Sequence, residues 1–378
     1  PDIALVFASS EIDAKSLNDE LDSRLDFDYA GASTAGEITS EGPKTGSLAA
    51  LIIDRNDIDF TVSTKDRMHE NPSEKGKELA EACIDSLEEH ENRGLLLITP
   101  GITQTDDNIE FKVLKGITSA VPSDMPISGG SAGDDVNLRQ TYQFANGELM
   151  KDGSIAVGIS TDHGITSVQE HGKDEVVATG VVTESDGKEI IRVGEKSAAE
   201  FYADAIGEDI SELKSLYDLP LGEKIKQGAV FLKNYLMRKD PIMIGKIFRY
   251  SLDHSIAEEL GPGQEIISQP IYITRRNGIV VSKKMEETQV IKILKGERES
   301  IITAGEEAAS RADDPLFGVF ADCATRRLLL EEEERKEEVD EIAEIMGQDF
   351  IGWYAMGEIG QNDNMICTFM NQTVSGMI

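Results

Sequence analysis

An acidic residue stands directly behind a glycine at Gly36-Glu37, Gly133-Asp134 and Gly357-Glu358. The first and last of these belong to a pattern, G-x-x-x-x-G-E-I, that occurs near each end of the 378-residue chain. Glycine lets the backbone turn sharply or approach another group closely. A carboxylate fixed at such a turn can accept a ligand ammonium or cap neighbouring backbone donors. The plainer explanation is that the glycines only let strands turn and pack. Recurrence points to a shared design without showing binding.

Cys323 and Arg326 are three residues apart, which would put them on one face at the start of a helix. A helix N-terminus lowers a thiol's pKa and attracts anions, and the planar guanidinium fork suits a carboxylate or phosphate. A small buried cysteine beside a structural arginine would look the same in sequence. Asn371-Gln372-Thr373 sets amide and hydroxyl groups in an apolar segment. Such groups need hydrogen-bond partners when buried, and a small polar ligand or a strand end would serve equally.

The elements that must position these residues repeat along the chain. Val6-Phe7-Ala8 and Val319-Phe320-Ala321 sit in matching apolar runs that end in small or polar residues. Behind the first run, Asp13 is suited to cap a helix with Leu17, Leu21 and Leu25 on one face. The two β-rich runs of 47–64, around Arg55-Asn56-Asp57, read as a hairpin. A second unit has a helix from Pro72, a buried strand at 94–101, a helix over 108–120, a strand entering a glycine-rich turn, and a hairpin at Asn146-Gly147. A third has a helix with Val339, Ile342, Ala343 and Met346 as its stripe. The acidic run 331–338 is its solvated start and Gly347 its stop. The expected fold class is α/β: two domains of mixed β-sheets covered by helices, built from repeated strand-helix-strand-hairpin units. The middle of the chain is strand-rich, with helical segments near 197–207 and 223–249.

Acidic residues outnumber basic ones by 71 to 37, a net charge of -34, which argues against nucleic acid as a partner. The three cysteines form no zinc spacing and suit a reducing compartment. No apolar run is long enough to span a bilayer and no signal peptide is visible, so a cytoplasmic protein is expected. Residues 223–249 reverse the trend with seven basic and two acidic residues. Phe231, Tyr235 and Phe248 interleave with those bases, as in a segment that docks on an acidic partner or a membrane surface. A solvated helix covering its own domain has the same composition.

Taken together, "AGASTAGEI", "PISGGSAGDD", "TYQFANGEL" with "GSIAVGI", "CATRRLLL", "GWYAMGEIG" and "NQTVS" resemble the FIST family, built from an N-terminal and a C-terminal FIST domain. The resemblance spans most of the chain, with 1–212 as the N-like and 213–378 as the C-like domain. It implies an intracellular sensory module that binds a small ligand such as an amino acid and signals to a separate partner, since no output domain is visible. The ligand-facing positions it implies are Cys323, Arg326, Gly357, Glu358, Asn371 and Thr373. Ser33, Thr34, Glu37, Gly130 and Asp134 are the N-terminal counterpart.

On that reading Arg326 clamps a carboxylate, Glu358 accepts an amine, and Asn371 and Thr373 supply neutral hydrogen bonds, a set matched to a zwitterion. No cofactor or metal is required. Some family members hold haem and respond to nitric oxide, and here His69, His90, His163, His171, His254, Cys323 or a tyrosine would have to serve as axial ligand. A third reading makes the chain an enzyme, with Cys323 as nucleophile activated by Arg326 and Glu358 as acid or base.

Overall fold

Val6-Phe7-Ala8 and Val319-Phe320-Ala321 lie in the middle of equivalent, fully buried strands. The computed structural model describes residues 1–88, 90–101, 109–137, 139–214, 246–261, 264–361 and 365–378. The chain forms two compact units, one made of 1–172 with 298–378 and the other of 173–297. The sequence boundary expected at 212/213 falls inside the second unit, because the first closes on itself from both ends of the chain.

The first unit contains one arrangement three times. In the first copy, β1 (Ile3–Ser9), α1 (Ala14–Arg24) and β2 (Asp28–Thr34) make a parallel pair with its crossover helix. The hairpin β3 (Glu37–Thr39) and β4 (Gly42–Lys44) follows, and β5 (Leu48–Ile53) returns antiparallel to β1. The second copy is preceded by β6 (Ile58–Lys65) and α2 (Pro72–Asp85). It contains β7 (Asn92–Thr99), α3 (Ile109–Ala120), β8 (Ile127–Ser131), the hairpin β9 (Gln143–Ala145) and β10 (Glu148–Met150), and the return strand β11 (Ser154–Thr161). After β12 (Ser167–Glu170) the second unit is inserted.

That unit runs β13 (Glu175–Asp186), β14 (Glu189–Val193), β15 (Lys196–Ser197), α4 (Ala198–Ile206), α5 (Ile210–Lys214), α6 (Lys246–Asp253), β16 (His254–Gly261), β17 (Gln264–Ser268), β18 (Pro270–Ile273), β19 (Ile279–Val281) and β20 (Val290–Lys295). Its strands form one antiparallel sheet in the order β17-β16-β20-β13-β14-β19-β18, with β15 on β14. Its core includes Val182, Tyr202, Ile256 and Ile293. Ser197 and Glu200 cap α4 reciprocally, and Gly207 ends it in the left-handed region. The expected basic segment 223–249 lies outside the described residues as far as 245.

The third copy follows α7 (Arg298–Ala309). It comprises β21 (Gly318–Cys323), α8 (Ala324–Leu329), α9 (Glu332–Met346), β22 (Phe350–Ala355), the hairpin β23 (Glu358–Gln361) and β24 (Cys367–Met370), and the return strand β25 (Val374–Met377).

Each hairpin leaves its own copy and extends the sheet of another: β3 pairs with β22, β9 with β2, and β23 with β8. The three sheets are therefore β10-β9-β2-β1-β5, β24-β23-β8-β7-β11-β6 and β12-β25-β21-β22-β3-β4. Their inner faces meet in one core that holds Phe7, Leu96, Ile155, Ala321, Trp353 and Met377. Phe7 and Trp353 stack at 4.2 Å, and the indole N–H donates to Ser131 O at 3.0 Å.

Local signals formed as expected. Asp13 caps α1 through Ser16 N–H, Pro72 opens α2, and Asn146-Gly147 takes positive φ at both turn positions. The stretch 47–64 is not a hairpin: β5 lies on β1 while β6 crosses to β11 in another sheet. The hairpin of this copy is the shorter β3–β4 just before it. The acidic run opening α9 is exposed or partly buried except at its last member, Glu338, which is 1% exposed.

Candidate functional site

Ligands of open α/β sheets gather at the carboxyl ends of parallel strands. Glu37 and Glu358 stand there in the first and third copies, each the first residue of its hairpin. Gly36 and Gly357, just before them, have φ of 133° and 150°. The turn therefore drives each carboxylate inward, and both are buried.

In the third copy Cys323 ends β21 and caps α8. Its N–H donates to Thr373 O at 3.1 Å, its Sγ lies 2.9 Å from Thr325 Oγ1, and the thiol and the Glu358 carboxyl act on one another electrostatically. Glu358 Oε2 accepts from Thr373 N–H at 3.3 Å, while Oε1 has no hydrogen-bond partner among the described residues. Burial pushes the Glu358 carboxyl well above the ordinary range, and nearby Asp322 adds to the effect. Burial also pushes the Cys323 thiol up, helped by the Glu358 charge. The expected activation of Cys323 by a helix terminus and Arg326 is thus reversed, because desolvation outweighs both.

Arg326 is 1% exposed. Its Nε lies 2.8 Å from Asp322 Oδ1 without good hydrogen-bond alignment, and Nη2 reaches Glu338 and, at 2.8 Å, Ile301 O. Nη1 points to His171 O at 3.4 Å. The expected ligand clamp is committed to the protein's own carboxylates and carbonyls. Burial, with Glu338 beside it, holds Asp322 well above the usual carboxylate range. Glu338 is raised by burial against the pull of Arg326.

The first copy builds a neighbouring cluster. Glu37 accepts from Thr34 Oγ1 and Ser47 Oγ, and burial raises its pKa. Asp135 gathers Ser9 Oγ at 2.9 Å, Ser10 N–H at 2.9 Å and Ser10 Oγ at 2.6 Å. Arg327 enters from α8, donates through Nη1 to Ala35 O and lies 6.0 Å over the Tyr354 ring. It is half-buried, and burial followed by repulsion from Arg335 lowers its pKa. Glu37 and Asp135 act on it electrostatically, yet it forms no ion pair among the described residues.

The other expected positions hold the loops together. Ser33 Oγ donates to Gly133 O at 2.7 Å and accepts from Tyr142 N–H at 2.9 Å. Asp134 caps the backbone N–H groups of Arg139 and Gln140. Gly130 faces Glu358 across the β23–β8 ladder, where a Cβ would meet Ala321 Cβ at 2.7 Å. At Gly357 a Cβ would enter the Phe369 ring at 2.0 Å. Asn371 O accepts from Thr373 Oγ1 at 3.0 Å. Among the histidines, His163 and His90 pair with Asp57 and Asp162 at 2.9 and 3.3 Å, and His69 pairs with Asp152.

Sequence reasoning missed Arg327, Asp135, Asp322 and Glu338. Asp322 and Arg326 are opposite charges four apart, a pairing signal available from sequence. Arg327 and Asp135 each stand beside a residue that was chosen instead.

The family model described as the FIST N domain matches residues 2–196, and that of the FIST C domain matches 198–361. The chain belongs to the FIST family. FIST domains are sensory domains of signal transduction. The junction of the FIST N and FIST C matches falls inside the second compact unit. No curated protein matches the chain. No helix among the described residues is long and apolar enough to cross a membrane.

Proposed function

We propose that this FIST protein senses a small zwitterion of the amino-acid class at the strand ends around Arg327. The observation that carries this reading is a half-buried guanidinium, over an aromatic ring and within the field of Glu37 and Asp135, that lacks an ion pair among the described residues. A desolvated cation without a carboxylate partner is unfavourable, and a ligand carboxylate relieves it. Glu37 and Asp135 then face the ligand ammonium. Arg327 replaces Arg326 as the clamp, and the Glu358–Cys323 cluster is a second buried acid centre beside it.

The first experiment is native mass spectrometry of the purified protein before and after denaturation, which distinguishes an amino-acid-sized guest from haem. Thermal-shift titration of free amino acids follows. Arg327→Ala weakens binding roughly 10- to 100-fold with the fold retained; an unchanged ligand response in Arg327→Ala overturns the assignment. The signal passes to a separate acidic partner through 223–249. Reversing Lys224, Lys226, Lys233 and Arg238 abolishes its pull-down if this segment is the dock, and unchanged pull-down retires it.

A further inference from the structure

Two of the three sheets end in a strand that the first sheet does not have. β6 lies antiparallel outside β11, and β12 lies antiparallel outside β25. Among the described residues, nothing pairs with the outer edge of β5. Ser9 N–H donates to Ser47 O, so odd-numbered residues of β5 bond β1. The main-chain groups of Leu48, Ala50 and Ile52 therefore point away from it. An unpaired edge of six uncharged apolar or small residues, with neither lysine nor proline to guard it, is a template for strand addition.

The same three residues are uncovered on the outer face. Ala49 and Ile53 enter the central core, whereas Leu48 and Ile52 are 44% and 57% exposed. Their cross-strand neighbours are covered: Val6 and Ala4, opposite Ala50 and Ile52, lie beneath Leu17 and Leu21 of α1. In the second sheet the matching face of β11 is covered by a second helix, with Cys83 of α2 and the following Leu87 against Gly158. In the third, Ala304 and Ala308 of α7 share a cluster with Val168 and Val374. The helix that would lie beside α1 has no counterpart among the described residues.

A groove of about 310 Å³ runs between β5 and the β3–β4 hairpin, lined by Glu37, Thr39, Lys44, Ser47, Leu48 and Ala50 among others. In the third sheet the corresponding space is filled: Ser167 Oγ of β12 accepts from Gln361 N–H of β23, and Gln169 touches the Gly360 position.

In both complete sheets the edge strand and the covering helix come before the first parallel strand in chain order, β6 and α2 before β7, β12 and α7 before β21. We propose that the first sheet is completed in the same order, by a strand and an amphipathic helix joined to this polypeptide ahead of Pro1. The strand runs antiparallel to β5 in the groove, and the helix lies beside α1 over Leu48, Ala50 and Ile52.

The test is hydrogen exchange read at β5, on the polypeptide as its gene encodes it, at two protein concentrations. The amides of Leu48, Ala50 and Ile52 are expected to exchange at least about 100-fold more slowly than in the chain that starts at Pro1, equally at both concentrations. An Ile52→Cys variant, which leaves a solvent-exposed site intact, is expected to crosslink to residues ahead of Pro1. Fast exchange in the encoded polypeptide overturns the proposal. So does protection that appears only at the higher concentration, which means a second copy, or a crosslink confined to residues after Pro1. None of these outcomes depends on whether Arg327 binds a ligand.

Discussion

Glu37 and Glu358 are the same residue of two repeats: each follows a glycine of positive φ, opens its hairpin, and is buried against the residue just before the return strand, Ser47 for one and Thr373 for the other. Their surroundings differ. Glu37 has both oxygens satisfied by hydroxyls, whereas Glu358 keeps one oxygen without a partner among the described residues.

That difference sets a pH dependence. Burial, with Asp322 nearby, raises the Glu358 pKa in the folded state well above the unfolded value of about 4.3. Below that value both states hold the proton and the contribution to stability is complete. As pH rises, the unfolded state releases its proton while the folded state keeps it, so the contribution is lost until the folded pKa is reached. Glu358→Gln is expected to be more stable than the parent near pH 7 and to lose less stability between pH 5 and 8. Urea titrations across that range check it; a parent protein that gains stability from pH 5 to 8 contradicts it.

Arg326→Ala removes the only basic side chain paired to Asp322 and Glu338 among the described residues. Leaving those acids buried and unpaired should cost roughly 3–5 kcal/mol. Arg326→Lys recovers little, since an ammonium cannot reach Asp322, Glu338 and Ile301 O in one plane. Chemical denaturation of the three proteins measures this, and a loss below about 1 kcal/mol would mean that the pair behaves as a surface one.

Cys323 should resist alkylation. Its thiol is 1% exposed and pushed up by burial, so little thiolate exists near pH 7. Iodoacetamide footprinting of the native protein is expected to leave Cys323 and Cys83, whose pKa is raised to about 12, unmodified until urea unfolds the chain. Rapid labelling of Cys323 in the native protein would restore the nucleophile reading.

Gly357→Ala combines a positive φ with a Cβ placed 2.0 Å from the Phe369 ring. Each effect costs on the order of 1–3 kcal/mol. The double variant with Phe369→Leu should relieve the steric part and leave the backbone part. Full rescue by Phe369→Leu would show that the turn itself tolerates alanine.

The sequence disclosed what local chemistry decides. Asp13 could be placed as a cap because the bond it makes is three residues away, and Asn146-Gly147 because a tight hairpin demands positive φ there. The repeated β-strand pairs were visible in the matching Val-Phe-Ala runs. The exchange of hairpins between sheets was not, since nothing in β5 or β6 says that neighbours in sequence part company. Which of Arg326 and Arg327 is fully enclosed was hidden for a similar reason: adjacent helix positions point 100° apart, and only the packing of α9 decides it. Glu338 was hidden inside a run of charges whose other members are solvated or only partly buried.

The exchanged hairpins also set the order in which this chain can become whole during synthesis. The first sheet has all its described strands once residue 150 has been made, but β8 waits for a partner that begins at Glu358, and β3 for one that begins at Phe350. Two of the three sheets therefore stay open at one side until nearly the entire chain has left the ribosome, with long loops to close and apolar faces unshielded meanwhile. Halves of this protein divided at the junction of its two FIST domains should each emerge as a partner for the other rather than as an independent fold.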